Sequence, residues 1–253
     1  MKAMLHAATT GAPDIRARGH CLDCAIRQHA VCSDCSAPEL DFLTNIKTYK
    51  SYKAGDRLLE MGERAAFMGT VVEGVASMSR ILSDGRRQVV GLLFPGDLVG
   101  RPFSPVSPFD YVAVTDLRVC AFNRPQFETT LRETPALEQR LLEMTLDELD
   151  SAREWMVLLG RKSAQEKLCS FMIMAAQRAL RLERRRPMDG ILIELPLTRE
   201  DMADFLGLTI ETVSRQIGAL KKSGVIELID ARHLLIPSWE ALEEAAGGEL
   251  AAV

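Results

Sequence analysis

No apolar run in the sequence reaches the roughly 18–20 residues that a membrane-spanning helix needs. The first residues, Met1 to His6, lack the apolar core of a secretory signal peptide. The sequence has only four histidines and no Gly-x-Gly-x-x-Gly, Walker, Gly-x-Ser-x-Gly or His-Glu-x-x-His motif, which leaves little equipment for nucleotide-dependent or acid–base catalysis. We therefore expect a cytoplasmic protein that is not an enzyme and does not contact a membrane.

The net charge is small but unevenly distributed. The 253 residues are 47% hydrophobic and 26% charged with a formal charge of −4, which is the composition of a globular chain and not of a disordered or histone-like one. Residues 161–236 contain 13 Lys and Arg against 10 Asp and Glu, a net charge of +3, so the remainder carries −7. A basic C-terminal third indicates that this part of the molecule binds a polyanion.

Four of the six cysteines lie in the N-terminal segment, residues 1–36; they are Cys21, Cys24, Cys32 and Cys35. Structural disulfides are rare in the cytoplasm, so these thiols predict a metal site or thiol chemistry. Two Cys-x-x-Cys pairs are a zinc signature, but the seven residues between them are fewer than the usual dozen or more. Cys169 lies among apolar residues of a predicted helix, and we interpret it as a small buried hydrophobic residue.

The second segment, residues 37–134, is punctuated by glycines at short intervals, with β-type runs such as 88–94 and 119–122 between them. Short strands at steady spacing predict a small sandwich or barrel. Asp84 and Gly85 predict a hairpin turn, because this pair readily supplies the positive φ angles that such turns need.

The third segment, residues 135–160, has no glycine before its last residue, and its apolar residues recur every seven positions. This spacing predicts a long helix with a narrow apolar seam, formed by Leu142, Thr145, Leu149, Ala152, Met156 and Leu159. Such a seam packs either on its own domain or on a second helix. We expect the second arrangement, a homodimer.

The fourth segment, residues 161–253, contains the pattern of a helix-turn-helix over residues 196–220. Thr198 and Thr209 are predicted to cap two helices, and Gly207 allows the tight turn between them. The second of these helices has one apolar face, formed by Ile210, Val213, Ile217 and Leu220. A further helix is predicted from Ser163 to about Arg186, and a wing hairpin over residues 225–236.

The opposite face of that second helix carries Glu211, Ser214 and Arg215 near its N-terminus. Arginine can donate to guanine O6 and N7, glutamate can accept from cytosine N4, and serine permits a tight approach. An isolated helix could carry Glu211 and Arg215 as a mere surface pair. Within this whole pattern the three side chains predict base recognition in double-stranded DNA, with further contacts from Thr209, Thr212, Lys221 and Lys222.

Residues 206–215, the heptad helix before them and the glycine-spaced β region resemble the CRP/FNR family of bacterial transcription regulators, over roughly residues 20–240. The resemblance implies an α+β fold with an N-terminal β-roll (cupin-like) sensor, a long dimerisation helix and a C-terminal winged helix-turn-helix. It also implies a regulator that contacts RNA polymerase. In the FNR branch, the residues that match Glu211, Ser214 and Arg215 read half-sites of the TTGAT…ATCAA type.

The FNR branch binds an oxygen-labile [4Fe–4S] cluster through three N-terminal cysteines and one on a β-roll strand. Cys21, Cys24 and Cys120 match this pattern, with a spacing similar to the FnrL-like group. Either Cys32 or Cys35 supplies the third N-terminal ligand; Cys32 is favoured because its neighbourhood corresponds best. The resemblance therefore implies an oxygen sensor for anaerobic or microaerobic gene expression. A zinc-bound or thiol-switched regulator of the same family is the alternative.

Other members of this family bind a cyclic nucleotide through a Gly-Glu pair and an Arg-Ser or Arg-Thr pair. In the corresponding stretches of this chain, residues 96–103 and 107–114, Arg101 is the only cation, and it does not fall at the phosphate-binding position. A buried phosphate without a guanidinium would be poorly compensated. We therefore expect no cyclic nucleotide as a ligand.

Overall fold

The computed structural model describes residues 19–248. The arm, residues 19–36, contains two short 3₁₀ helices at Cys21–Asp23 and Arg27–His29. The elements that follow it, up to residue 133, are α1 (Ala37–Ile46), β1 (Lys47–Tyr52), β2 (Arg57–Leu59), β3 (Phe67–Glu73), β4 (Ala76–Ile81), β5 (Arg87–Leu93), β6 (Leu98–Val99), β7 (Asp110–Ala113), β8 (Leu117–Asn123) and α2 (Arg124–Glu133).

The eight strands form a β-roll of two four-stranded antiparallel sheets. Their orders are β1-β8-β3-β6 and β2-β7-β4-β5. The space between the sheets is filled by apolar side chains, among them Val71, Ala76, Val99 and Val119, which are fully buried. β8 is a central strand, and Cys120 on it pairs with β1 on one side and β3 on the other.

The long helix predicted from the heptad spacing is α3 (Pro135–Arg161). Proline is favourable at the first helical position because its missing N–H would have no intrahelical partner there. Leu137 near the start of α3 packs in a core with the arm and α2, whereas Leu158 near its end packs in the core of the C-terminal domain. The helix therefore connects the β-roll to the C-terminal domain.

The C-terminal elements are α4 (Ala164–Glu183), β9 (Ile191–Glu194), α5 (Arg199–Leu206), α6 (Ile210–Lys222), β10 (Glu227–Leu228), β11 (His233–Ile236) and α7 (Trp239–Ala245). The strands form a sheet in the order β10-β11-β9. α5 ends at Gly207, whose φ of +63° lies in the left-handed region that favours glycine. This is a winged helix-turn-helix, so the predicted α+β fold with its N-terminal β-roll is confirmed.

Several local predictions differ from the structure. The helix predicted to reach Arg186 ends at Glu183, because Arg184 adopts a left-handed conformation with φ of +54°. The wing strands are shorter than the predicted hairpin. Ile210, predicted on the buried face of α6, is 44% exposed because it lies in the first turn, beyond the edge of the core. None of the helices within residues 19–248 is long and apolar enough to cross a membrane.

Candidate cofactor site and DNA-binding helix

A small cavity of about 20 Å³ lies between the arm and the β-roll. Four cysteines line it: Cys21, Cys24, Cys32 and Cys120. Its remaining walls are mainly apolar, with Phe122, Phe127 and Leu137 among them. Cys35, the other candidate of the N-terminal group, does not line the cavity and is buried in the adjoining core instead.

Contacts from α1 hold the arm in this position. His20 Nε2 lies 2.6 Å from Asp41 Oδ1, and the backbone N–H of Cys21 donates to Thr44 Oγ1 at 3.0 Å. Lys47 Nζ, at the start of β1, lies 3.5 Å from Cys21 Sγ. The α1 helix is itself stabilised at its start by a capping box. The arm is therefore folded against the roll by residues that the cysteine spacing alone did not indicate.

The electrostatics of the cavity disfavour free thiolates. Burial raises the pKa of Cys32 and that of Cys120 to about 12, and the nearby Cys21 adds to the effect in both. At neutral pH these side chains are therefore neutral thiols unless a metal deprotonates them. Within residues 19–248, no three His, Cys, Asp or Glu side chains converge on one position for a single metal ion.

The arm also contacts the parts of the molecule beyond its cavity. Arg184, at the end of α4, donates to Gln28 Oε1 at 2.5 Å. His29 packs against the turn between β5 and β6, where a Cβ on Gly96 would lie 2.8 Å from the His29 Cβ. Because Gly96 also has a φ of +105°, only glycine fits this close approach without strain. The cysteine-bearing arm is thus in direct contact with the C-terminal domain.

The α6 helix presents the predicted base-reading side chains to solvent. Glu211, Ser214 and Arg215 are exposed on one side, while Val213, Ile217 and Leu220 on the other side are buried. The backbone N–H of Glu211 itself and the side chain of Thr209 donate hydrogen bonds to the Glu211 carboxylate and lower its pKa. The carboxylate therefore stays ionised and can act as an acceptor.

Two threonines organise the first turn of α6. The side chain of Thr209 accepts from the backbone N–H of Thr212 at 3.2 Å and thereby caps the helix. Arg215 Nη2 donates to Thr212 Oγ1 at 3.3 Å, which holds the guanidinium near the tip of the helix. Lys221 and Lys222 are exposed at the other end.

The heptad seam of α3 is largely uncovered in the single chain. Leu142, Thr145, Leu149, Ala152 and Met156 are exposed, and Met156 reaches 72%. Leu159 differs, because it packs partly against the core of the C-terminal domain. The sequence analysis missed two exposed apolar residues beside the seam, Leu146 and Val157, since they lie outside the strict seven-residue spacing.

Comparison with known proteins shows which family has this architecture. A model of the Crp-like helix-turn-helix domain matches residues 166–245, and a model of the cyclic nucleotide-binding domain matches residues 49–134. The chain is 50% identical to the transcriptional activator protein FnrL of Cereibacter sphaeroides over 229 residues, 90% of this chain and 92% of that protein. The chain belongs to the CRP/FNR family. This CRP/FNR regulator has the DNA-binding helix-turn-helix of its relatives, which are transcription regulators and not enzymes.

Two further comparisons agree with this assignment. The chain is 38% identical to the nitrogen fixation regulation protein FixK of Bradyrhizobium diazoefficiens, covering 85% of this chain and 90% of that one. The solved structure of FixK2 from Bradyrhizobium japonicum superposes with a TM-score of 0.71 at 31% identity, covering 82% of this CRP/FNR chain and all of that one.

Proposed function

We propose that this protein is an oxygen-responsive transcriptional activator that carries a [4Fe–4S] cluster and binds TTGAT…ATCAA palindromes as a homodimer. The observation that carries the proposal is that Cys21, Cys24 and Cys32 of the arm and Cys120 of β8 line the same cavity. In this proposal, low oxygen is the signal and the response is expression of genes for anaerobic or microaerobic growth. The setting is the cytoplasm.

The donor chemistry of the cavity matches this cofactor. Four thiols are the usual ligand set of a [4Fe–4S] cluster, and apolar walls limit solvent access to it. When bound, the cluster would supply sensitivity to oxygen, which degrades clusters of this type. Cys32 is the third arm ligand in this proposal because Cys35 does not line the cavity.

Ligation by the arm and by β8 together would fix the arm on the β-roll. Leu137, in the first turn of α3, lines the same cavity, and Met144 two turns later packs on the adjoining core. The next residues along α3 carry the exposed seam that we propose as the dimer interface. A fixed arm would thereby stabilise the start of α3, the helix on which dimerisation depends in this proposal.

In the dimer, two α6 helices would enter successive major grooves of a palindrome. Glu211, Ser214 and Arg215 would read base edges, with Thr209 and Thr212 supporting the first turn and Lys221 and Lys222 contacting phosphates. Surface loops would contact RNA polymerase. The filled interior of the β-roll and the exposed position of Arg101 support a sensor that binds no cyclic nucleotide.

Anaerobic purification followed by iron, acid-labile sulfide and zinc analysis tests the proposal. We expect about four iron and four sulfide per wild-type chain, loss of both in Cys120→Ser and Cys32→Ser, and retention in the matched control Cys35→Ser. Binding to the palindrome should weaken after exposure to air.

Two results would contradict this. Stoichiometric zinc without sulfide would support the zinc-bound alternative, and a metal-free protein whose binding responds to thiol oxidation would support the thiol switch. Cluster loss in Cys35→Ser with retention in Cys32→Ser would exchange the two ligand assignments.

A further inference from the structure

One strand of the β-roll contacts the helix-turn-helix directly, through ion pairs and a hydrogen bond. β5 is the edge strand of its sheet, and α5 covers it. The Arg87 guanidinium on β5 forms ion pairs with two carboxylates of α5: Nη2 with Asp201 Oδ1, and Nε with Asp204 Oδ2 at 2.7 Å. All three side chains are 24–32% exposed, so this contact is partly shielded from solvent. Beside it, Gln88 Nε2 donates to the backbone carbonyl of Phe205 at 3.4 Å.

Apolar packing continues beneath the ion pairs. Val89, the next inward residue of β5, is fully buried in the core of the C-terminal domain. The Phe205 ring of α5 stacks on Trp155 of α3 with centroids 4.3 Å apart. It also meets Phe171 of α4 in an edge-to-face arrangement with centroids 5.8 Å apart. The roll, the long helix and the helix-turn-helix therefore meet at α5, and the position of α5 sets that of α6.

The charges of α5 give this contact a second consequence. The helix has three carboxylates, Glu200, Asp201 and Asp204, against one arginine, Arg199, a net charge of −2. In a helix-turn-helix the first helix crosses the DNA backbone while the second reads the bases. Unpaired carboxylates on the first helix would repel phosphates. Arg87 pairs with two of the three from outside the helix and reduces the local net charge from −2 to −1.

We infer that Arg87 is a positioning residue for DNA binding, an inference that rests on the proposed function. It fixes α5 relative to the β-roll, so that α6 meets the groove in one orientation, and it shields Asp201 and Asp204 from the phosphates. Neither action touches a base, so Arg87 contributes to affinity and leaves the choice of sequence to α6.

The test compares Arg87→Gln with Arg86→Gln in the anaerobically prepared holoprotein. Arg86 is the neighbouring arginine of the same hairpin, and it is highly exposed and paired with Asp84 instead of with α5. Its substitution therefore removes the same charge but leaves the ion pairs between β5 and α5 intact. We expect Arg87→Gln to weaken palindrome binding on the order of tenfold and by the same factor on palindromes with one altered base. Cofactor content and dimer fraction should be unchanged, and Arg86→Gln should bind as the wild type does.

A double-mutant cycle with Asp204→Asn separates the ion pair from general destabilisation. The loss caused by Arg87→Gln should be smaller in the Asp204→Asn background, and Arg87→Lys should restore part of the affinity. Equal losses in Arg87→Gln and Arg86→Gln, an unchanged affinity in Arg87→Gln, or strict additivity in the cycle would each overturn the inference while leaving the proposed function intact. A wild-type protein that fails to bind the palindrome would instead overturn the proposed function.

Discussion

Arg215 is the exposed side chain of α6 with the most donors for a base edge. Its guanidinium is held by Thr212 near the start of the helix, in the turn that enters the major groove first in this fold. We expect Arg215→Ala to cost about 1–3 kcal/mol on the palindrome and to relax the preference at one guanine position. Titration of a panel of single-base operator variants measures both effects.

Lys222 provides the contrast for this experiment. It is exposed at the other end of α6, where a phosphate is the expected partner. Lys222→Ala should weaken binding to every operator variant by the same factor and reduce the salt dependence by about one counterion. If Arg215→Ala gives that uniform pattern too, Arg215 contacts phosphate and does not read a base.

Cys169 lies on α4 in the core of the C-terminal domain and is fully buried. Burial raises the pKa of this thiol to about 12, so at pH 8 nearly all molecules carry the unreactive thiol form. We expect no alkylation of Cys169 by iodoacetamide in the native protein at pH 8, and full alkylation in urea, as measured by peptide mass spectrometry. Rapid modification of the native protein would mean that this core opens readily.

At the residue scale, the sequence was informative wherever a side chain acts close to its neighbours in the chain. The cysteine arm and the polar face of α6 could be recognised because spacing and helical periodicity define them. The choice between Cys32 and Cys35 could not be made by counting, since it depends on which thiol turns toward β8. The ion pairs of Arg87 with α5 could not be predicted from the sequence, because the two aspartates lie more than a hundred residues later in the chain.

At the scale of elements, the long helix α3 was predictable and the shortest elements were not. Seven-residue spacing without internal breaks marks a helix whatever surrounds it. By contrast β6 has two residues and β2 has three, and such strands exist only through pairing with β3 and β7. The lengths of the wing strands were overestimated because they too depend on pairing with neighbouring strands.

The exposed seam of α3 leads to a prediction about association. Leu149 lies at its centre and packs on none of the cores within the described chain. Leu149→Arg should raise the dissociation constant of the proposed dimer at least about tenfold, because it would place a charge between the two apolar seams. Sedimentation velocity measures this. Thermal stability of the monomer should change by less than about 0.5 kcal/mol, as expected for an exposed site.

Leu192 provides the control for this substitution. It is also an exposed leucine, but it lies on β9 away from the seam. Leu192→Arg should leave the dimer fraction unchanged. A dimer that survives Leu149→Arg would place the interface elsewhere on the molecule.

For the whole molecule, the decisive feature is that α3 belongs to two cores. Its first turns pack with the arm, α2 and β8, whereas its last turns pack with α4 and α5. A change in the arm can therefore alter the start of α3 while the winged helix-turn-helix stays folded. This division separates the end of α3 that packs with the cysteine-bearing arm from the end that packs on the helix-turn-helix, without unfolding either.

Hydrogen exchange can test that division directly. After aeration of the anaerobically prepared protein, deuterium uptake should rise over residues 20–46, 117–123 and 135–144, because these surround the cysteine cavity, and change little over residues 191–246. Cys120→Ser should show the raised uptake before aeration and no further increase after it. A rise spread evenly over residues 19–248 would mean that one cooperative unit includes both cores, and the arm would then act by destabilising the whole protein instead of by releasing the start of α3.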